Sequence, residues 1–599
     1  MNYIIFGAGQ IGCEALELVG EENIVYFIDN DVSKQGSYIA SKKIYSFIDG
    51  IEKRNDEQII IAVSKVYENQ IVIQLRDYGV EDYCLFTEIK RQITKNKILN
   101  RKDNLKIYSK AIQWIVSNSI TGEGIINNSK LLRSYPEVTG YFIPSLIRWG
   151  YKELAVTYSR WLCSIQKEDG SWYDTLDMDP YIFDSAQILK GLLAVRPLYK
   201  DVNHLDEAIR RGCDWILTNM TEDGQLITPS KVAWGNIANE LIHTYCLSPL
   251  MEAGKLYNDK KYSEAATRSL TYYKEHYYNE IVNFSMLSHF YAYVVEAMLD
   301  MGEVGLAREA MKNMESFQKE SGAIPAHKDA DWVCSTGLFQ MSLIWFRLGD
   351  VERGDKAFEY ACALQNDSGG WYGSYVSEEN ADEVNTYFPD AEISWANKYF
   401  LDALFYKNKA EFNKISDVFE ESISKTDERY DCILGAVEKS KPNTAILDVG
   451  CGKGRYLKNL LQDIPDRVYY GVDISKNVMA GLEEIGIECQ EGTLTDIPYD
   501  NDTFSVTYSC EALEHAIDIE NSIKEMARVT NRDGLIIVID KNKESYGTLE
   551  IGNWEQWFDE EGLGSIIRKY CKDVTVKHGL KYEKMGDSDL FTAWIGVVG

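Results

Sequence analysis

Nowhere in its 599 residues does the chain contain an unbroken apolar run near the roughly 18 to 20 residues that cross a bilayer. An integral helical anchor is therefore not expected. The start, Met1-Asn2-Tyr3-Ile4-Ile5-Phe6, enters a strand at once without a basic flank, so no secretion signal is read there. The 12 cysteines are scattered, with no CxxC pair and no Cys/His cluster at ligand spacing. That pattern points away from a zinc site or disulfide framework and toward free thiols in a reducing, cytoplasmic setting. Basic residues are also in deficit: 63 Lys and Arg face 93 Asp and Glu, a net charge of −30. Such a surface repels phosphate backbones, which argues against DNA or RNA as partners. What remains is a soluble-type composition, 45% hydrophobic, in a chain long enough for about three domains.

Three textures follow one another. Residues 1–92 alternate strands and helices, which predicts a parallel, doubly wound α/β sheet. A Gly7-x-Gly9-x-x-Gly12 turn follows the first strand and opens a helix, and Asp29 ends the second strand. Glycines there allow a tight turn and close backbone approach to a phosphate, while an acid about 20 residues on suits a ribose hydroxyl. Ile28-Asp29-Asn30-Asp31 with Lys34-Gln35-Gly36 resembles the short Rossmann-like domains of bacterial surface-sugar biosynthesis proteins. The resemblance implies a nucleotide or nucleotide-sugar ligand, or a docking role alone.

Residues 93–412 read as helical and repetitive. Gln166-x-x-x-Gly170-x-Trp172 and Gln365-x-x-x-Gly369-x-Trp371 are the clearest copies, with turn glycines also at Gly122, Gly224 and Gly322. A spacing of roughly 50 residues suits one helical hairpin per repeat and leaves room for six, a degenerate copy falling near Tyr278-Asn279. Six hairpins in a ring make an all-α (α/α)6 toroid, and the motif resembles the QW-type repeat of α/α toroid proteins. A terpene cyclase of that kind needs a D-x-D-D cluster, and Asp177-Met178-Asp179-Pro180 lacks it. No Asp, Cys and His spacing suits a prenyltransferase zinc. A glycan-handling toroid fits better, with candidate substrate contacts at Trp172, Asp174 and Asp177, at Asn236, Asn239, Glu240 and His243, and at Asp329, Asp331 and Trp332. Carboxylates beside aromatics suit sugars, and converging pairs can act as general acid and base.

Residues 413–599 carry the most specific pattern. The apolar run Ala445–Val449 contains Asp448 and breaks into Gly450-x-Gly452-x-Gly454, and the next strand ends at Asp473. This resembles the class I S-adenosylmethionine (SAM)-dependent methyltransferases, α/β proteins with a seven-stranded mixed sheet. The resemblance implies that Asp448, Gly450, Gly452 and Gly454 hold the methionine end of SAM. It further implies that Asp473 and Ile474 meet the ribose, Thr493 and Leu494 the adenine, and Ser509 the amino group. Thr493 stands where the family usually has Asp. His515, whose imidazole ordinarily titrates near ~6.5, is the candidate base for a hydroxyl acceptor. The expected activity is O-methylation of a sugar, sugar nucleotide or lipid-linked glycan. The alternatives are a toroid hydrolase or lyase with an auxiliary methyltransferase, a scaffold for biosynthetic partner proteins, and a natural-product methyltransferase.

Overall fold

The computed structural model describes residues 2–89, 104–229, 237–376, 387–549, 551–552, 554–581 and 590–599. Two compact units emerge: Met1–Asp103 with Lys541–Asp559, and Asn104–Asp540 with Glu560–Gly599. The expected 92/93 boundary and Asn236 fall outside the described residues.

In the first unit, short β-branched and aromatic runs form the strands β1 (Tyr3–Phe6), β2 (Ile24–Ile28), β3 (Tyr38–Ile39), β4 (Lys42–Tyr45), β5 (Gln58–Ile61) and β6 (Tyr83–Leu85). They order as β3-β4-β2-β1-β5-β6, parallel except for β3 against β4. Ile4, Ile5, Ile59 and Ile60 are fully buried, as strands covered on both faces require. Helices Gln10–Val19, Phe47–Lys53 and Lys65–Asp77 connect them.

The second unit begins with paired helices. Pro136–Arg148, Ile182–Val195, Leu247–Leu256, Ser288–Asp300, Ser335–Leu348 and Ser394–Ile415 pack each on the next, and the last returns to the first. Asn104–Ser117, Lys152–Ile165, Asn203–Thr218, Lys260–His276, Val304–Met314 and Val351–Ala363 lie against them. Sequence dictates which set is inside. Every residue from Ser335 to Phe346 is buried, whereas Asn203–Thr218 buries one stripe, including Leu205, Ala208, Ile209, Gly212 and Ile216.

The repeat glutamines stitch neighbouring hairpins together. Gln166 Nε2 donates to Gly170 O and Ala208 O, both at 2.9 Å. Gln365 Nε2 donates to Gly369 O (3.1 Å) and to Ile107 O (2.9 Å), tying the last repeat to the first helix. At Gly369 φ is +97° and an added Cβ would lie 2.1 Å from Lys110 O, so the closure needs glycine. Two small hairpins, β7 (Ile126–Asn128) with β8 (Leu131–Ser134) and β9 (Trp332–Cys334) with β10 (Ser374–Val376), complete this part.

The remainder of the unit is a sheet of β11 (Ala445–Val449), β12 (Val468–Asp473), β13 (Glu488–Glu491), β14 (Phe504–Cys510), β15 (Thr530–Lys541), β16 (Cys571–Leu580) and β17 (Phe591–Val598). The order is β13-β12-β11-β14-β15-β17-β16, with β11 to β15 parallel and β16–β17 an antiparallel pair. The order of strand addition reverses beside β11, so the carboxyl ends of β11, β12 and β14 open onto a crevice. The segment 477–485 is a series of turns ending in a 3-10 turn at Glu483–Ile485. Gly481 at φ +82° interrupts it.

Candidate functional site

The turn after β11 is built from left-handed glycines. Gly450, Gly452 and Gly454 have φ of +81°, +51° and +70°. A Cβ on Gly450 would sit 2.3 Å from that of Ala512, and one on Gly454 would meet Leu482 at 2.7 Å. At Gly452 the space is open, with only Phe419 near 4 Å. Gly450 and Cys451 donate their amides to Val472 O (2.8 and 3.0 Å), locking the turn over the end of β12.

Asp473, at that end, is 8% exposed. Its Oδ2 accepts from the Gly452 amide and its Oδ1 from the Ser475 amide, both at 2.9 Å. Burial raises its carboxyl above the ordinary value, opposed by those backbone donors. The carboxylate keeps spare acceptor capacity for a hydroxyl. Asp448 lies behind the turn, and burial pushes its carboxyl up to about 8. Asp448 Oδ2 and Ser509 Oγ are buried without a hydrogen-bond partner among the described residues.

Gly450, Gly452, Asp473, Ile474, Thr493, Leu494 and His515 line one cavity of about 390 Å³. Asp448, Gly454 and Ser509 support it from behind and are not part of its lining. Thr493 Oγ1 accepts the Asp496 amide at 3.1 Å and lies 3.2 Å from Thr495 Oγ1. His515 Nε2 is 3.2 Å from Glu514 Oε1, and the imidazole packs edge-on to Phe412 with centroids 5.2 Å apart.

Glu511 holds an ion cluster that the sequence did not flag. It is a non-glycine residue at φ +56°, its carboxylate bridges Arg429 and Arg455, and Arg455 also pairs with Glu420 at 2.6 Å. Asp427 holds Arg429 from the other side, with Oδ2 2.8 Å from one guanidinium nitrogen. Strain of this kind persists where surrounding contacts over-determine it, often at functional sites.

The cavity also has a wall that sequence reasoning missed altogether. Arg148, Trp149, Phe405, Asn408 and Phe412 come from the helical part. Both parts lock together around it. Tyr108 and Tyr151 each donate to Asp518 Oδ2 at 2.9 Å, and Lys152 pairs with Glu525 (2.7 Å) and Asp496 (2.9 Å). Thr495 donates to Arg148 O at 2.6 Å, and Asn521 to Trp149 O at 3.1 Å. No local motif signals contacts between residues this far apart in the chain.

The residues expected to meet sugar behave differently. Trp172 is fully buried, donates to Leu162 O at 2.8 Å and packs on Gly212. It is a core residue, which corrects its reading as a ligand contact. Asp174 is buried and spends its carboxylate on the Asp177 and Asp179 amides of its own loop. Asp177, Asp329 and Asp331 are exposed, and Trp332 is buried in β9 against His327. Glu240 accepts from Gln225 (2.9 Å) and Tyr273 (3.3 Å). His243 sits between Thr228 and Tyr273, and burial lowers it to about 4. In the first unit, Gly7 has φ +119°, and a Cβ on Gly12 would lie 1.8 Å from Gly7 O, while Gly9 is open. Asp29 accepts from the Ala8 amide (2.7 Å) and pairs with Lys34 (3.2 Å), so it anchors the glycine turn. Among the described residues, no group of three or more His, Cys, Asp or Glu is placed to hold a metal ion, and no helix is long and apolar enough to cross a membrane.

A family profile described as "Methyltransferase domain" matches residues 447–538. Demethylmenaquinone methyltransferase of Roseiflexus castenholzii is 30% identical over 112 residues, 18% of this chain and 47% of that protein. The 24-methylenesterol C-methyltransferase 3 of Arabidopsis thaliana is 27% identical over 236 residues, 34% of this chain and 61% of that protein. The crystal structure of YcgJ from Bacillus subtilis is 14% identical with a TM-score of 0.24, covering 29% of this chain and 99% of that one. The chain spans less than two thirds of the length of the two sequence relatives. The region around the β11 turn and Asp473 is thus a class I SAM-dependent methyltransferase domain with a Rossmann-like sheet.

Proposed function

We propose that the chain transfers a methyl group from SAM to a hydroxyl of a small molecule or glycan. The observation that carries this reading is the cavity itself. Three left-handed glycines and a buried carboxylate with spare acceptor capacity meet at adjacent strand ends. When bound, SAM supplies an already activated methyl group, so the protein's work is to orient the acceptor and exclude water. Asp473 accepts the ribose hydroxyls. The amides and open face of the Gly450–Gly454 turn, backed by Asp448 and Ser509, take the methionine end. Thr493 and Leu494 border the adenine. Glu514 holds His515 through Nε2, leaving Nδ1 to receive the acceptor's proton.

Three domains are proposed: residues 1–92 as a Rossmann-like nucleotide or nucleotide-sugar binder, 93–412 as an (α/α)6 toroid, and 413–599 as the methyltransferase. The closed helix series and the glutamine ties support the toroid. A sugar, sugar nucleotide or lipid-linked glycan acceptor rests on the likeness of the first two domains to glycan-handling proteins. A second reading, an apolar natural product, is favoured by Phe412, Val418, Phe419 and Ile517 in the cavity wall.

The test is incubation of the full chain with methyl-labelled SAM and an extract from cells lacking this gene. Label in sugar nucleotides or lipid-linked glycans supports the first acceptor, and label in small apolar molecules supports the second. No transfer to any fraction contradicts the proposed activity.

A further inference from the structure

We infer that the helix Ser394–Ile415 is the second half of the cofactor site and that Asn408 on it recognises the adenine ring. This rests on reading the cavity as the SAM site. Phe405, Asn408 and Phe412 recur at three- and four-residue spacing, so they share one helix face, and all three line the cavity. The helix is fixed in register against the two loops that border the nucleoside. Lys409 pairs with Glu491, immediately before Gly492 and Thr493. Asn413 accepts from Ser475 at 2.6 Å, two residues beyond Asp473. Asn408 lines the cavity, and its neighbour Lys409 sets it at the level of the loop that carries Thr493 and Leu494.

The polar groups already at that level are committed elsewhere. The Thr493 hydroxyl accepts the Asp496 amide, and Thr495 donates to Arg148 O. The Arg148 guanidinium pairs with Asp402 at 2.9 Å and stacks over Phe405 at 4.2 Å. The Asn408 side-chain amide has no hydrogen-bond partner among the described residues. A carboxamide offers one acceptor and one donor side by side, which matches the amino group and N7 of adenine, an edge on which an oxo group in place of the amino group leaves two acceptors. Phe405, one turn away, supplies an apolar surface for the ring.

The experiment is calorimetric titration of the full chain with S-adenosylhomocysteine and with S-inosylhomocysteine, in which an oxo group replaces the adenine amino group. The wild type should prefer the adenine compound by about 10-fold or more, the scale of one lost pair of hydrogen bonds. Asn408→Ala should weaken S-adenosylhomocysteine by about 10-fold and erase the preference. Asn408→Asp, which keeps the acceptor and loses the donor, should fall between. Thermal melting of each variant reports folding, and Lys414→Ala, an exposed change on the same helix outside the cavity, should leave the preference intact. An Asn408→Ala protein that melts normally and keeps both affinity and preference overturns the assignment of Asn408. A folded wild type that binds neither compound overturns the SAM reading instead.

Discussion

Asp448 shows how burial turns one side chain into a pH-dependent term. Its carboxyl, about 8 in the folded chain, lies above its ordinary 3.8 because burial disfavours the charge. Between those values the folded state keeps a proton that the unfolded state has released, so this group's contribution falls as pH rises. The loss is up to about 1.4 kcal/mol per pH unit through that window and is complete above it. Melting temperature measured from pH 5 to 8 should therefore decline less steeply in Asp448→Asn than in the wild type. Identical slopes would show that another group is titrating. His515 makes a separate claim. If it takes the acceptor's proton, His515→Ala should lower turnover by about 10²-fold while leaving cofactor affinity within about twofold. Unchanged turnover would leave the imidazole a packing role beside Phe412.

At the scale of elements, local signals were the readable ones. The β11 strand, its glycine turn and the acid ending β12 all lie within about 30 residues, and each has a backbone reason that spacing alone exposes. The Gln166 and Gly170 repeat was likewise legible from its spacing, because a left-handed glycine and an end-capping amide act within one turn. Trp172 was not, since aromatic character is the same in a core and in a sugar cleft and only burial separates them. Least legible was the helical wall of the cavity, which depends on contacts such as Tyr108 and Tyr151 with Asp518, 410 and 367 residues apart. That junction is testable. Asp518→Ala removes the acceptor of two half-buried tyrosine hydroxyls and the N-cap of Ile519–Val529, at a cost of about 2–4 kcal/mol. Lys524→Ala, which breaks the exposed pair with Glu153, should cost under about 0.5 kcal/mol. Chemical denaturation distinguishes them, and equal costs would mean that Asp518 is not a keystone of the interface.

For the molecule as a whole, the second unit joins a closed series of helices to a seven-stranded sheet through a cavity that takes walls from both. The helix Ser394–Ile415 belongs to both constructions: it closes the helix series on Pro136–Arg148 and carries Phe405, Asn408 and Phe412 into the cavity. On this account the helical part is more than a neighbour of the methyltransferase domain, because cofactor binding draws on its packing. Substrate chemistry stays with the proposal, since the cavity wall and the accompanying domains point to different acceptors. The most direct measurement of the central claim is equilibrium binding of S-adenosylhomocysteine to the full chain and to its Asp473→Ala variant. The account predicts one-to-one binding by the wild type and at least about 100-fold weaker binding by a variant that still melts cooperatively. Equal affinity in the two proteins, or no binding by a folded wild type, would contradict it.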